Sequence, residues 1–177
     1  MKKSLTFVLA ALLCIALLGG CSESSSKPSS GNSGKPDSSN STQIPSPFTS
    51  YDTVEEAQKA LGVDFKQPAQ LPEGFSQNAI SVMHSDDGSF AQIVYANADG
   101  KELTYRVSNT YKPSDLNGDY TVYETTGTLP VGELSVSCQG DGETFSVLTW
   151  EKDGCSYCIM SQQPLTAEQA EVLVAGI

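Results

Sequence analysis

Four Asp-Gly dipeptides, each next to a stretch in which apolar and polar residues alternate, constrain the fold of this chain more than any other feature. They are Asp87-Gly88, Asp99-Gly100, Asp141-Gly142 and Asp153-Gly154. Asp-Gly readily adopts the backbone angles of a tight hairpin turn, and alternation at period two puts apolar side chains on one face of a strand. The pattern predicts antiparallel strands joined by hairpins, with one face of the sheet in water.

We expect about seven strands in the C-terminal part of the chain, with one helix before them and one after them. The strands are predicted at residues 80–84, 90–96, 103–107, 120–125, 134–139, 144–150 and 155–161. Two capping boxes, Thr53–Glu56 and Thr166–Gln169, predict where the helices begin, and Gly62 suits the left-handed end of the first one. We therefore expect an α+β fold: an antiparallel meander sheet of about seven strands with an N-terminal and a C-terminal helix packed on it.

The N-terminus has the arrangement of a secretory signal. Lys2-Lys3 precede an apolar run that ends at Leu18-Gly19-Gly20-Cys21. The run is shorter than the roughly 20 residues that a spanning helix needs, and small residues precede the cysteine as at a cleavage site. Leu18–Cys21 resembles the bacterial lipobox. The resemblance implies that residues 1–20 are a signal peptide and that Cys21 carries a lipid, which would hold the protein on the extracytoplasmic face of the cell membrane.

Composition divides the rest of the chain into two parts. Residues 22–47 contain eleven serines and four prolines, and such a segment buries too little apolar surface to become ordered. With the lipidated cysteine, residues 21–47 are predicted to be a disordered tether. Residues 48–177 have a common domain size and no second low-complexity break, so we expect a single domain there.

The charge of the domain is strongly negative. Six Lys and Arg and 19 Asp and Glu lie in residues 48–177, which gives a net charge of −13. A field of that sign repels nucleic acid and anionic lipid headgroups, so nucleic acid is not expected as a partner. We expect this acidity to serve solubility, with a cationic or metal-bound partner as the alternative.

Three cysteines in residues 48–177 raise the question of thiol chemistry. Cys155 and Cys158 have the spacing of a redox pair, and with Cys138 and His84 they add up to a Cys3His zinc set. Residues three apart on a strand point to opposite faces, however, so the two sulfurs would not meet. We expect small buried core residues instead, with Cys158 opposite Leu148 on the preceding strand. The redox state and pairing of the three stay open, as does the oligomeric state.

The remaining polar motifs do not predict a catalytic or metal site. Asp115–Asp119 has the composition of a calcium loop but lacks the glutamate at its twelfth position, where Thr126 lies, so a solvated turn is expected. His84 has no motif around it, which leaves little room for a nucleophile and its base. We predict no catalytic residue, no cofactor and no metal.

Aromatic residues on the predicted strands could form an exposed platform for a glycan or a peptide. Aromatic side chains on alternating strands are more often part of the core. We expect core positions for this set: Tyr95, Tyr105, Tyr123, Trp150 and Tyr157.

Several short segments, in order along the domain, resemble one known family. They are Glu56–Gly62, Leu71–Phe75, Val94–Asn97, Asp99–Leu103, Thr149–Glu151, Tyr157–Met160 and Leu165–Gln169. Residues 48–177 thereby resemble the family catalogued as domain of unknown function 4367. The resemblance implies a setting among Gram-positive lipoproteins and the outer parts of membrane proteins similar to anti-sigma factors, and it implies no catalytic or binding residue. Cys155 and Cys158 depart from it, because Gly, Ser or aromatic residues are expected there.

These features together lead to three ordered hypotheses for function. The first is a lipid-anchored, non-catalytic sensing or protein-interaction domain, with an envelope protein as possible partner. The alternative is a carrier or binder of an apolar small ligand, which an apolar pocket of several hundred cubic ångströms would favour. The third is a carboxylate-dependent envelope hydrolase, which two carboxylates about 5 to 10 Å apart across a cleft would favour.

Overall fold

The structure is a computed structural model that describes residues 46–177, and the structural statements below concern those residues. Cys21, the signal peptide at 1–20 and nearly all of the tether lie outside them. The strands are β1 (Phe48–Tyr51), β2 (Ser76–Ser85), β3 (Gly88–Ala96), β4 (Glu102–Ser108), β5 (Thr125–Val131), β6 (Leu134–Gly140), β7 (Phe145–Lys152) and β8 (Cys155–Leu165). The helices are α1 (Val54–Leu61), α2 (Pro113–Leu116) and α3 (Ala167–Ala175). None of the described helices has the length and apolar character needed to cross a membrane.

All eight strands form one antiparallel sheet in the order β1-β2-β3-β4-β8-β7-β6-β5. The predicted antiparallel sheet with helices is confirmed as an α+β-like fold, although its helices are short. Two parts of the prediction are wrong: the sheet has eight strands instead of seven, and it is not one continuous meander. It consists of two four-stranded meanders, β1–β4 and β5–β8, which meet where β4 pairs with β8.

Two strands differ from those expected. Residues 120–125 were predicted to form a strand, but residues 117–124 have no regular secondary structure and β5 begins only at Thr125. The other difference is β1, which was not predicted and pairs with β2 along its whole length. Each forms an outer edge of the sheet, where a strand needs only one partner.

The longer helices begin at the predicted capping boxes. Thr53 Oγ1 accepts a hydrogen bond from the Glu56 N–H at 3.2 Å, and Glu56 Oε2 accepts one from the Thr53 N–H at 3.3 Å. Thr166 and Gln169 form the same reciprocal pair at the start of α3. Gly62 ends α1 in the left-handed conformation, with a φ of 74°. Each cap satisfies N–H groups that the first turn leaves without a partner, and a good cap contributes about 1 kcal/mol.

One face of the sheet, here called the helix face, carries the main core. Ala57 of α1 and Leu173 of α3 pack there against side chains from seven strands. The completely or nearly completely buried strand residues of this face include Val82, Ile93, Leu103, Tyr105, Val107, Val136, Leu148 and Ile159. The prediction that the first and last helices lie on the same face is confirmed, since both belong to this cluster.

The opposite face, here called the α2 face, was expected to be in water and is in fact partly covered. The chain between β4 and β5 contains α2, which packs on β4, β7 and β8. Leu116 of α2 is buried there against a small cluster of strand side chains: Phe90, Val147 and Cys158, with Met83 and Met160 at its border. The expectation of one wet face therefore fails for the centre of the sheet.

Candidate functional site

The three cysteines of the described residues do not all lie on the same face of the sheet. Cys138 and Cys155 belong to the core of the helix face, whereas Cys158 belongs to the cluster of the α2 face. All three are free and buried, so the expected core role is confirmed. Cys158 lies opposite Thr149, and the predicted partner, Leu148, is wrong by one residue.

The register differs because the β7–β8 hairpin turn is shorter than assumed. Lys152 pairs directly with Cys155, which leaves a two-residue turn. Asp153 and Gly154 both have positive φ, 51° and 78°. That combination is typical of the type I′ turn, whose twist matches that of the flanking strands.

Burial controls the chemistry of the three thiols. It raises the pKa of Cys138 and of Cys155, and it raises the pKa of Cys158 to about 12 against the attraction of the Arg106 guanidinium. The nucleophilic form of cysteine is the thiolate, and reactive cysteines have a lowered pKa. The three thiols are therefore neutral at physiological pH.

The other candidate ligand of a zinc site, His84, lies at the exposed end of the β2–β3 hairpin. Its Nδ1 is 2.8 Å from Ser89 Oγ, the residue directly opposite on β3. Cys155 and Cys158 point to opposite faces, so the four residues of the Cys3His set are not brought together. Within residues 46–177 there is no cluster of three or more His, Cys, Asp or Glu side chains suited to a metal.

Residues 115–119, the segment with calcium-loop composition, form the end of α2 and a turn. Asn117 Oδ1 accepts from the Asp119 N–H at 2.9 Å. Asp119 in turn accepts from the Thr121 N–H and from the Tyr123 hydroxyl. The Thr121 side chain, the Tyr123 hydroxyl and the Thr121 N–H together lower the pKa of Asp119, because hydrogen bonds to a carboxylate stabilise its charged form. The carboxylate is occupied by the turn, as expected of a local structural role.

Arg106, on β4, organises the α2 face and was not singled out from the sequence. Its Nη1 donates to the carbonyl oxygens of Leu116 at 3.0 Å and Asn117 at 2.9 Å, and its Nε donates to Gln92 Oε1 at 2.8 Å. The guanidinium carbon lies 4.7 Å from the centre of the Phe90 ring. A single cation thus satisfies the last carbonyls of α2, which a helix of four residues leaves free.

One signal in the sequence could have identified Arg106. It is the only arginine in the chain, and it lies between Tyr105 and Val107, which alternation assigns to the core. Its own side chain must then point to the opposite face. An arginine on that face near the middle of the sheet requires acceptors, and the following loop supplies them.

The most exposed large apolar side chains lie in the segment that Arg106 holds in place. Tyr120 is 96% exposed and Val122 is 95% exposed. The other large apolar side chains that are classed as exposed, Phe48 and Val172, are 38% and 41% exposed. Tyr120 and Val122 directly precede β5, the last strand of the sheet. The exposed apolar side chains are thus close in sequence to an outer strand of the sheet.

The other aromatic residues of the strands are mainly internal. Trp150 stacks on Tyr157 with ring centres 5.3 Å apart and planes 9° apart, and Tyr157 stacks on Tyr105 at 6.4 Å. These three and Tyr95 are buried, which confirms the expected core role. Tyr123 is half-buried beside Asp119.

Three of the larger surface grooves have charged linings. A groove of about 500 Å³ between β1 and α1 is bordered by Asp52, Glu56 and Lys59. One of about 460 Å³ lies beside Asp119 on the α2 face and also includes Glu102. A third, of about 320 Å³, is lined by two lysines, two aspartates and several uncharged residues: Lys66, Lys152, Asp64, Asp153, Gln58, Phe65, Cys155, Tyr157 and Ile177. None of the three is the apolar pocket that a carrier would be expected to have.

A comparison with known proteins gives one result. The family model described as Domain of unknown function (DUF4367) matches residues 66–177. The match begins after α1, so the resemblance seen in the sequence extends less far toward the N-terminus than residue 48. Comparison with curated proteins and with solved structures gives no match. Since the family model covers more than half of the chain, the chain belongs to the family Domain of unknown function (DUF4367).

Proposed function

We propose that this protein is a non-catalytic interaction module that a lipid on Cys21 holds on the extracytoplasmic face of the cell membrane, with an envelope protein as its partner. The observation that carries the interaction role is the exposure of Tyr120 and Val122, 96% and 95%. Burying a side chain the size of valine contributes roughly 1.5–3 kcal/mol. A protein partner that covered both would gain a substantial part of its binding energy from them.

The ionisable side chains with clearly shifted pKa values favour a non-catalytic role. Burial raises the pKa of all three described thiols, which makes them poor nucleophiles at neutral pH. Hydrogen bonds lower the pKa of Asp119 and of Asp141. The general acid of a glycosidase needs a raised pKa, so that it keeps its proton at neutral pH.

The anchoring rests on the N-terminal sequence. Leu18-Gly19-Gly20-Cys21 supports acylation of the cysteine, and two acyl chains hold a protein on a bilayer stably. The test is the Cys21→Ala variant expressed in the native host, with Ser24→Ala as the matched control. We expect Cys21→Ala to leave the membrane fraction and Ser24→Ala to remain in it. Equal sedimentation of the two would refute the anchor.

The interaction role can be tested at the exposed pair itself. A photoreactive phenylalanine derivative would replace Tyr120 in one variant and Val172, on α3, in a control. Irradiation of intact membranes should give covalent protein adducts from position 120 and not from position 172. Adducts from neither position, or equally from both, would contradict an interaction surface at Tyr120.

A further inference from the structure

β5, which begins three residues after Val122 in the chain, has an outer edge without a partner strand in the described residues. β5 is the last strand of the sheet and pairs with β6 on its inner side only, within the described residues. Residues 125–128 are exposed. The outer backbone N–H and C=O groups of an edge strand are a template on which another strand can pair.

This edge lacks most of the features that usually prevent such pairing. Proteins block strand edges with charged side chains, prolines, bulges or very short strands. β5 has seven residues, none of them charged, and its proline, Pro130, lies near the C-terminal end. The opposite edge of the sheet, β1, has only four residues and is an example of a short edge strand. Residues 125–129 of β5 are therefore the part open to pairing.

Charge indicates the chemistry of the strand that would pair there. Residues 113–151, which run from α2 to the last residue but one of β7, contain seven Asp and Glu and no Lys or Arg; Lys152 ends β7. Two of these acids, Asp119 and Glu124, flank the exposed pair in sequence, and Glu143 lies in the turn beside Thr125. Opposite charge at an interface steers association and selects partners. The surroundings of the edge favour a basic segment.

We propose that the edge formed by residues 120–129 binds a basic, extended segment of another protein, which adds to β5 as a further strand and covers Tyr120 and Val122. This inference rests on the proposed interaction role and specifies its partner. A second copy of the chain is the poorer occupant, because each domain has a net charge of −13. An anionic membrane surface is repelled for the same reason.

In binding by strand addition, the affinity for the partner and the specificity for its sequence come from different groups of β5 and of the partner. The backbone groups of β5 supply hydrogen bonds that are independent of the partner's sequence, and side chains on alternate positions give specificity. A partner strand of alternating lysine and apolar residues would match this edge. Its lysine side chains would reach the acidic residues around β5, and its apolar side chains would reach Tyr120 and Val122. Pro130 has no N–H, so pairing ends there.

The test uses the full chain in uncharged detergent micelles and an eight-residue peptide of alternating lysine and valine with blocked ends. Backbone amide exchange is followed by mass spectrometry with and without the peptide. We expect exchange at residues 120–129 to slow at least tenfold and exchange in β1 to stay unchanged. An alternating glutamate and valine peptide should give no protection. Protection that is absent at residues 120–129, or equal for both peptides, would overturn the proposal.

Variants of the exposed pair and of Glu124, each with a control on α3, measure how much the apolar side chains and the acidic charge contribute to peptide binding. Tyr120→Ser combined with Val122→Ser should weaken binding of the lysine–valine peptide at least tenfold, whereas Val172→Ser should not change it. Glu124→Gln should weaken binding about threefold, and Glu171→Gln, equally exposed on α3, should leave it unchanged. Equal effects of edge variants and controls would show binding elsewhere.

The outcome can be separated from that of the proposed function. If the photoreactive residue at position 120 gives protein adducts in membranes but the peptide does not protect residues 120–129, the interaction role holds and strand addition is wrong. If position 120 gives no adducts, the interaction role itself fails.

Discussion

The two faces of the sheet are stabilised in different ways. The helix face is a continuous core in which α1, α3 and stacked aromatic rings exclude water. On the α2 face the buried cluster is small, and Arg106 holds the covering chain by hydrogen bonds to two carbonyl oxygens. Beyond that cluster, toward β5, the side chains of the strands are polar and exposed. One face thus depends on an extensive buried core, and the other on a small buried cluster together with a single cation.

The contrast has a structural consequence for function. A loop that packs through a large apolar area has little freedom to present side chains to solvent. The chain around α2 packs through Leu116 and is otherwise held at its backbone, so the residues that follow can leave Tyr120 and Val122 exposed. The lightly packed face is therefore the one next to which large apolar side chains remain exposed.

The largest expected effect comes from opening a cavity in the helix face. Ile159 is fully buried on β8, at the centre of the sheet. Ile159→Ala should lower the free energy of unfolding by about 3 kcal/mol, because it removes buried methyl groups and leaves a cavity. Chemical denaturation measures the loss. Thr128→Val, on the exposed part of β5, is the control and should change stability by less than about 0.5 kcal/mol. Similar losses for both would show that the two regions do not differ as described.

An intermediate and more local effect is expected from removing the cation of the α2 face. Arg106→Met keeps much of the apolar stem but leaves the carbonyl oxygens of Leu116 and Asn117 without their donor. The loss should be about 2 kcal/mol, since hydrogen bonds to charged groups contribute about 1.5–3 kcal/mol. Amide exchange should accelerate in residues 113–124 and stay unchanged in α1.

The matched control for Arg106 is Lys101→Gln, which removes an exposed cation in the β3–β4 turn. It should leave both stability and exchange unchanged. If Arg106→Met accelerated amide exchange in α1 as much as in residues 113–124, the Arg106 cation would stabilise the whole sheet. That result would contradict the proposal that Arg106 stabilises the α2 face only.

The smallest effect concerns Cys158 and depends on pH. Cys158→Ala should cost about 1 kcal/mol at pH 7, comparable with the loss of a buried methylene group. The thiol has a pKa of about 12 in the folded protein and 9.0 as its ordinary value. Above pH 9 the unfolded chain loses this proton while the folded protein retains it, so the wild type loses stability through that range as pH rises toward 12.

The alanine variant lacks this titration. The stability gap, defined as the free energy of unfolding of the wild type minus that of Cys158→Ala, should therefore fall and change sign as pH rises from 8 to 11, measured by denaturation at each pH. A gap that is constant or widens would contradict the raised pKa of Cys158. Cys155→Ala provides a comparison on the helix face, where burial also raises the thiol pKa.

Short-range signals in the sequence predicted much of the secondary structure. Local signals were sufficient to predict where α1 and α3 begin, at the capping boxes of Thr53 and Thr166, and where β7 turns into β8, at Asp153-Gly154. Capping boxes and tight turns are local because their hydrogen bonds join residues only a few positions apart. The opposite faces of Cys155 and Cys158 followed from the two-residue period of a strand. Arg106 was missed because the two carbonyl oxygens that accept from its Nη1 lie ten and eleven residues further along the chain, at the end of α2.

The edge strands show where sequence patterns mislead. Residues 120–125 alternate like a strand, yet residues 120–124 lie outside the sheet and only Thr125 belongs to β5. β5 contains Gly127 and Pro130, which argue against a strand in the interior but are tolerated at an edge. β1 is only four residues long and has no clear alternation. Whether such a segment pairs depends on the neighbouring strand that is available.

The sequence by itself determined the antiparallel hairpins, the starts of α1 and α3, and the assignment of alternate residues to opposite faces, because each depends on contacts within a few residues. It also led to the prediction of a lipid on Cys21, which lies outside the described residues. Only the tertiary structure decided that β4 pairs with β8, that α2 covers part of the second face, and that Tyr120 and Val122 are exposed. These features depend on contacts between distant segments, and a local pattern is compatible with several such arrangements.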